Sequence, residues 1–137
     1  MDFERFLTAH ATHFDVALAE LRAGRKRSHW MWFVFPQLAG LGRSDTARLF
    51  ALKNLAEAGA YLAHPLLGPR YLACVDALLM HPDRSAEAIM GGIDALKLRS
   101  SLTLFDRAHA PPSVRTALDT FFDGPDRETL RLLGVEE

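Results

Sequence analysis

Apolar positions recur at helical spacing from the start of the chain. Phe3, Phe6, Leu7, Phe14, Ala17, Leu18 and Leu21 fall on one face, Glu4, Arg5, Asp15, Glu20 and Arg22 mostly on the other, and Gly24 is placed to end the helix. Arg25-Lys26-Arg27 then leads into Ser28-His29-Trp30-Met31-Trp32-Phe33-Val34-Phe35, which Pro36 stops. Ser28 suits a helix cap, while eight residues this aromatic could equally form a strand. No other segment reads as a strand partner, which favours a short buried helix. Gln37 to Arg43 is a glycine-bearing loop.

Helical patterning resumes at Ser44-Asp45 through Leu52. It continues from Leu55 to Leu62, with a break near Asn54, and stops at His64-Pro65, because the residue before a proline is disfavoured in helical geometry. Pro69 opens a further helix that ends at His81-Pro82, and Ser85 caps a short turn to Met90 that Gly91-Gly92 breaks. Helices follow from Ile93 to about Ala108, from Pro111-Pro112 to Phe122, and from Arg127 to Leu133 behind an Asp126 cap. The expectation is an all-α, compact multihelical bundle of about seven or eight helices. No repeat, low-complexity stretch or linker divides residues 1–137, which read as a single domain.

Composition supports this picture. Leu and Ala number 42 and Val and Ile 7, a ratio that favours helix over sheet. A formal charge of −1 argues against nucleic acid as the default partner, and 49% hydrophobic residues match an ordinary globule rather than a disordered chain. The longest uncharged run, Ser28 to Gly42, is too short and too polar to span a bilayer, which needs about 20 mainly apolar residues. Cys74 is the single cysteine and Met1 to Arg5 lacks a secretory pattern, so the expected location is the cytoplasm. The six histidines form no zinc-like cluster, and no metal or cofactor is expected. Oligomeric state has no sequence signal.

Two segments carry candidate chemistry. The run from Ser28 to Gly42 holds both tryptophans. Rings at helical spacing are ordinarily core, but His29 and Gln37 within an apolar run would each need a polar partner if buried. Trp30 and Trp32 beside His29 and a glycine loop would form a wall for a flat ligand. In Asp94-Ala95-Leu96-Lys97-Leu98-Arg99-Ser100-Ser101, the positions Asp94, Lys97 and Ser101 are spaced i, i+3 and i+7 along a helix. Lysine is scarce, 3 against 13 arginines, so Lys97 stands out. The plainer alternative is a surface ion pair contributing less than about 1 kcal/mol, with serine hydroxyls bonding back to helix carbonyls. Arg22, Arg25, Lys26 and Arg27 form a local basic patch, read most simply as cations at a helix end.

Lys26-Arg27-Ser28-His29-Trp30-Met31-Trp32-Phe33-Val34-Phe35-Pro36-Gln37, followed by Gly40-Leu41-Gly42, closely resembles the hallmark of the bacterial family called domain of unknown function 1810, some members of which carry the label calpastatin. The match extends through Tyr61-Leu62-Ala63-His64-Pro65-Leu66-Leu67-Gly68-Pro69-Arg70, then Gly91, Asp94, Lys97-Leu98, Ser100-Ser101 and Thr103-Leu104-Phe105. Met90 stands where Phe is expected and Leu102 where Met is expected, both apolar exchanges. The resemblance implies a compact multihelical domain and supplies no reaction. It also implies that the two candidate segments belong to one site, because both coincide with its signature blocks.

The expected site therefore has His29, Asp94 and Lys97 as catalytic candidates, with Trp30, Trp32, Gln37, Ser100 and Ser101 as ligand-binding candidates. The expected ligand is a small anionic or nucleotide-like molecule. If the protein is an enzyme, the first reaction to test is glycosidic hydrolysis, with Asp94 stabilising a cationic transition state and His29 or Lys97 handling protons. The alternative is a non-enzymatic interaction or structural module, in which the aromatic segment is core and an exposed helix face binds a partner.

Overall fold

A computed structural model describes residues 2–134. Among these the chain forms nine helices: α1 (Glu4–Ala23), α2 (Met31–Val34), α3 (Asp45–Phe50), α4 (Leu55–Ala63), α5 (Leu67–Leu79), α6 (Ala86–Met90), α7 (Gly92–Arg107), α8 (Pro112–Phe121) and α9 (Arg127–Leu133). The all-helical class is as the periodicity implies. The count exceeds the expected seven or eight because α3 and α4 are separate and the Ser85 turn is long enough to be a helix.

Local chemistry explains several of these boundaries. Ser44, Asn54, Ser85 and Asp126 accept hydrogen bonds from Ala47, Glu57, Ala88 and Thr129 amides at 2.9–3.1 Å, satisfying donors at the starts of α3, α4, α6 and α9. Ala51 is extended, and the Asn54 cap restarts the chain as α4. Gly24 takes a left-handed φ of 78° while the Arg25 amide reaches back to the Glu20 carbonyl at 3.1 Å, closing α1. α5 begins at Leu67, ahead of Pro69. The His64 imidazole Nδ1 accepts from the Leu66 and Leu67 amides at 3.1 and 3.2 Å, and proline is tolerated in a first helical turn.

α7 forms the centre, with Leu98 and every residue from Ser100 to Phe105 buried. It packs on α4, α6, α8 and α9. Tyr61 from α4, Tyr71 from α5, Phe35 after α2 and Phe105 from α7 meet as a ring cluster. Its tightest pair is Tyr71 and Phe105, with centroids 4.2 Å apart. Glycine permits α5 to cross the end of α4, since a Cβ on Gly68 would lie 2.0 Å from the Leu62 carbonyl oxygen. α2 is anchored by its Phe33 carbonyl, which accepts from His10 Nε2 at 2.7 Å on the buried face of α1. Residues 35–54 fold back on themselves: the Ala39 and Leu52 amides bond to the Leu52 and Gln37 carbonyls, an isolated parallel bridge that closes the loop around α3. Among the described residues no helix is long and apolar enough to cross a membrane.

Candidate functional site

The turn at Gly24 directs residues 25–30 across the start of α7. The Lys26 amide bonds to the Ile89 carbonyl at 2.7 Å, tying this stretch to α6 and carrying the Lys26 side chain to α7. There its ammonium lies 2.8 Å from Asp94 Oδ2, with only 7% of the side chain exposed. It also donates to the Ser28 carbonyl and sits 4.9 Å above the Trp30 ring. The other Asp94 oxygen faces Lys97 at 3.7 Å, and the Lys97 ammonium lies 5.1 Å above the Trp32 ring. Two lysine–tryptophan pairs are thus bridged by a single carboxylate. A cation over an indole face contributes about 0.5–1 kcal/mol where exposed and about 2 or more where desolvated, so the buried Lys26 pair is the stronger.

The pairs differ in how fully their donors are used. Lys26 has a close carboxylate, a carbonyl and a ring. Lys97 has a ring and a distant carboxylate oxygen, and 26% of its side chain is open to solvent. The two ammoniums share the Asp94 carboxylate, and Lys97 holds it by the longer contact.

Glu20 holds the aromatic segment in place. Its carboxylate accepts from the Arg27 amide at 2.7 Å, the Ser28 amide at 2.9 Å, the Ser28 hydroxyl at 2.6 Å and the Trp30 indole Nε1 at 2.9 Å. Desolvation pushes its pKa up, but the hydrogen bonds from Ser28, Arg27 and Trp30 outweigh it and hold the carboxyl down at about 2. This strap fixes Trp30, which is fully buried, and with it the start of α2 and Trp32.

The structure brings some of the candidate residues together and separates the others. Asp94, Lys97, Trp30 and Trp32 meet at the cluster. His29 is exposed in the stretch between Ser28 and Trp30, and among the described residues no side-chain hydrogen bond ties it to the lysines. Gln37 is half-buried in the loop after α2, where its carbonyl accepts from Leu52. The Ser100 hydroxyl donates to the Leu96 carbonyl at 3.2 Å, the helix back-bond considered above. Ser101 points into the core, 3.0 Å from the Tyr71 hydroxyl. Sequence reasoning missed Glu20, and it read Lys26 as part of a basic patch and of the hallmark run without making it a site residue. The available signal was lysine scarcity: Lys26 and Lys97 are two of the three lysines in the chain. Among the described residues no group of three or more His, Cys, Asp or Glu side chains could hold a metal.

Fold and site together define a small multihelical protein whose charged cluster is built from tryptophan, lysine and aspartate rather than from a metal or nucleophile constellation. The chain belongs to the DUF1810 family, proteins of unknown function, whose model matches residues 1–133. Among solved structures it is similar to the conserved hypothetical protein Rv1873 from Mycobacterium tuberculosis, at 48% identity and a TM-score of 0.93 over 96% of each chain. No curated protein matches it.

Proposed function

We propose that the protein binds a small anionic ligand with a planar ring at the Lys97–Trp32 corner of this cluster. The observation that carries the reading is the asymmetry of the two lysines. Lys26 is buried and fully engaged, whereas Lys97 keeps donors open to solvent beside an indole and shares its carboxylate contact with Lys26. A phosphate or carboxylate would take those donors, and a ring would stack on the half-buried Trp32. His29, exposed in the same segment, is the candidate proton carrier if the ligand reacts. Asp94 is already shared between two ammoniums, which suits it to orienting Lys97 and makes it a weak stabiliser of a cationic transition state. Binding is therefore favoured over glycosidic hydrolysis.

A thermal-shift panel of nucleoside monophosphates, aryl phosphates and inorganic phosphate tests this reading. A ligand at 100 times its dissociation constant stabilises by about 2.7 kcal/mol. Lys97→Ala and Trp32→Ala should abolish the response to a ring-bearing anion. No response from the wild-type protein across the panel refutes it.

A second reading, association through this face, draws on Ile93 and Leu96, which are 74% and 67% exposed one turn apart on α7 beside Asp94 and Lys97. Sedimentation of the wild-type protein against an Ile93→Asp/Leu96→Asp variant tests it. A concentration-dependent dimer lost in the variant supports association, and a monomer throughout removes it.

A further inference from the structure

A cleft of about 900 Å³ lies where α7 meets the loop before α9 and α9 itself. Its volume is within the range of small-molecule sites, about 300–1,000 Å³. Neither Lys97 nor Trp32 lines it, so it is a separate feature. We infer that this cleft binds a small zwitterion of the free amino acid class, its carboxylate on the Arg99 and Arg127 guanidiniums and its ammonium on the Asp123 carboxylate.

The charges that line the cleft sort into committed and available groups. Arg131 and Glu128 are bonded to each other across one turn of α9. The Asp126 carboxylate accepts from the Thr129 amide at 2.9 Å and the Thr129 hydroxyl at 2.6 Å. Arg99, Arg127 and Asp123 remain, and none of them has an ion-pair partner among the described residues. Arg99 is half-buried, yet no carboxylate compensates it. Its Nε donates to the Gly124 carbonyl at 2.9 Å and its guanidinium lies 5.9 Å from the Phe122 ring. Those contacts fix the plane of the guanidinium and leave its terminal N–H groups for a planar, bidentate acceptor, which a carboxylate is.

Overall neutrality decides between an anion and a zwitterion. Among the described residues, Arg99, Arg127 and Arg131 balance Asp123, Asp126 and Glu128 around the cleft. A simple anion would meet as much repulsion as attraction, whereas a ligand with separated opposite charges engages the unpaired groups of both signs. Leu130 and Pro125 add apolar wall for a side chain.

The experiment is calorimetric titration with free L-amino acids, each beside its N-acetyl derivative, which lacks the ammonium, and its methyl ester, which lacks the carboxylate. At least one amino acid is expected to bind saturably, with both derivatives at least about tenfold weaker. Arg127→Gln and Asp123→Asn, both at exposed positions without an ion pair, should weaken the parent at least about tenfold while retaining the wild-type Tm. Asp123→Asn should also erase the preference over the N-acetyl form, and Arg99→Lys the preference over the ester. Lys97→Gln should leave the binding unchanged, which separates this cleft from the Lys97–Trp32 corner. Absence of saturable binding by any amino acid, equal binding of the blocked derivatives, or loss of binding in Lys97→Gln would each overturn the proposal.

Discussion

Removing the Glu20 carboxylate tests the account of how the aromatic segment is held. Its four hydrogen bonds do not count equally. The Arg27 and Ser28 donors sit on exposed or half-buried residues and can be rehydrated, whereas the Trp30 indole is fully buried. Glu20→Ala therefore leaves one buried donor unsatisfied, at about 1–3 kcal/mol, and loses the net value of the charge-assisted bonds. A second route gives a similar size. Lowering the carboxyl from 4.5 to about 2 corresponds to about 3 kcal/mol, which solvent screening of this partly exposed group reduces to about 2. Glu20→Ala should thus cost about 2–4 kcal/mol at pH 7.

The pH dependence isolates the charge. A carboxyl that titrates lower in the folded than in the unfolded chain contributes fully above pH 4.5, and its contribution is lost as the pH falls toward 2. In Glu20→Gln an acceptor oxygen remains but the charge does not. The gap in unfolding free energy between this variant and wild type should shrink by about half between pH 5 and pH 3. Urea denaturation followed by tryptophan emission measures both effects. A Glu20→Ala cost below about 0.5 kcal/mol, or a Glu20→Gln gap constant over this range, would refute the assignment.

Other outcomes are expected from the same structure. Lys26→Ala should cost about 1–3 kcal/mol, the scale of lost charge-assisted hydrogen bonds, because Asp94 is partly exposed and keeps Lys97, while the more exposed Lys97→Ala should cost less than about 1; equal losses in chemical denaturation would contradict their different burial. Trp30→Ala should cost about 3–5 kcal/mol on the scale of large aromatic truncations, and a loss under about 1 would show that the ring is not core. Gly68→Ala should lower Tm by the equivalent of about 1–3 kcal/mol, because its Cβ would meet backbone at Leu62, and an unchanged Tm would deny the close α4–α5 crossing. Burial pushes the Cys74 thiol up to about 12, so at pH 8 a disulfide reagent should label the native protein at least about 100-fold more slowly than the unfolded chain; equal rates would show that the thiol is accessible.

Much of the architecture was legible because it is locally encoded. The stripe Phe6, Phe14, Ala17 and Leu21 is buried, and Ser44, Asn54, Ser85 and Asp126 cap the helices behind them. Capping, proline restriction and helical spacing act over a few residues, so the sequence alone determined where helices run, which faces are apolar and that two segments are unusual in residue type. Periodicity says that a side chain faces inward without saying which element it meets. Only the tertiary structure decided that Lys26, between two arginines, crosses to Asp94, that Glu20 holds Trp30, and that Ser101 turns to Tyr71 instead of the lysines. These are contacts between residues distant in the chain. Their partners are set when helix packing and the Gly24 turn bring α1, the aromatic segment and α7 together, at a range no local pattern spans.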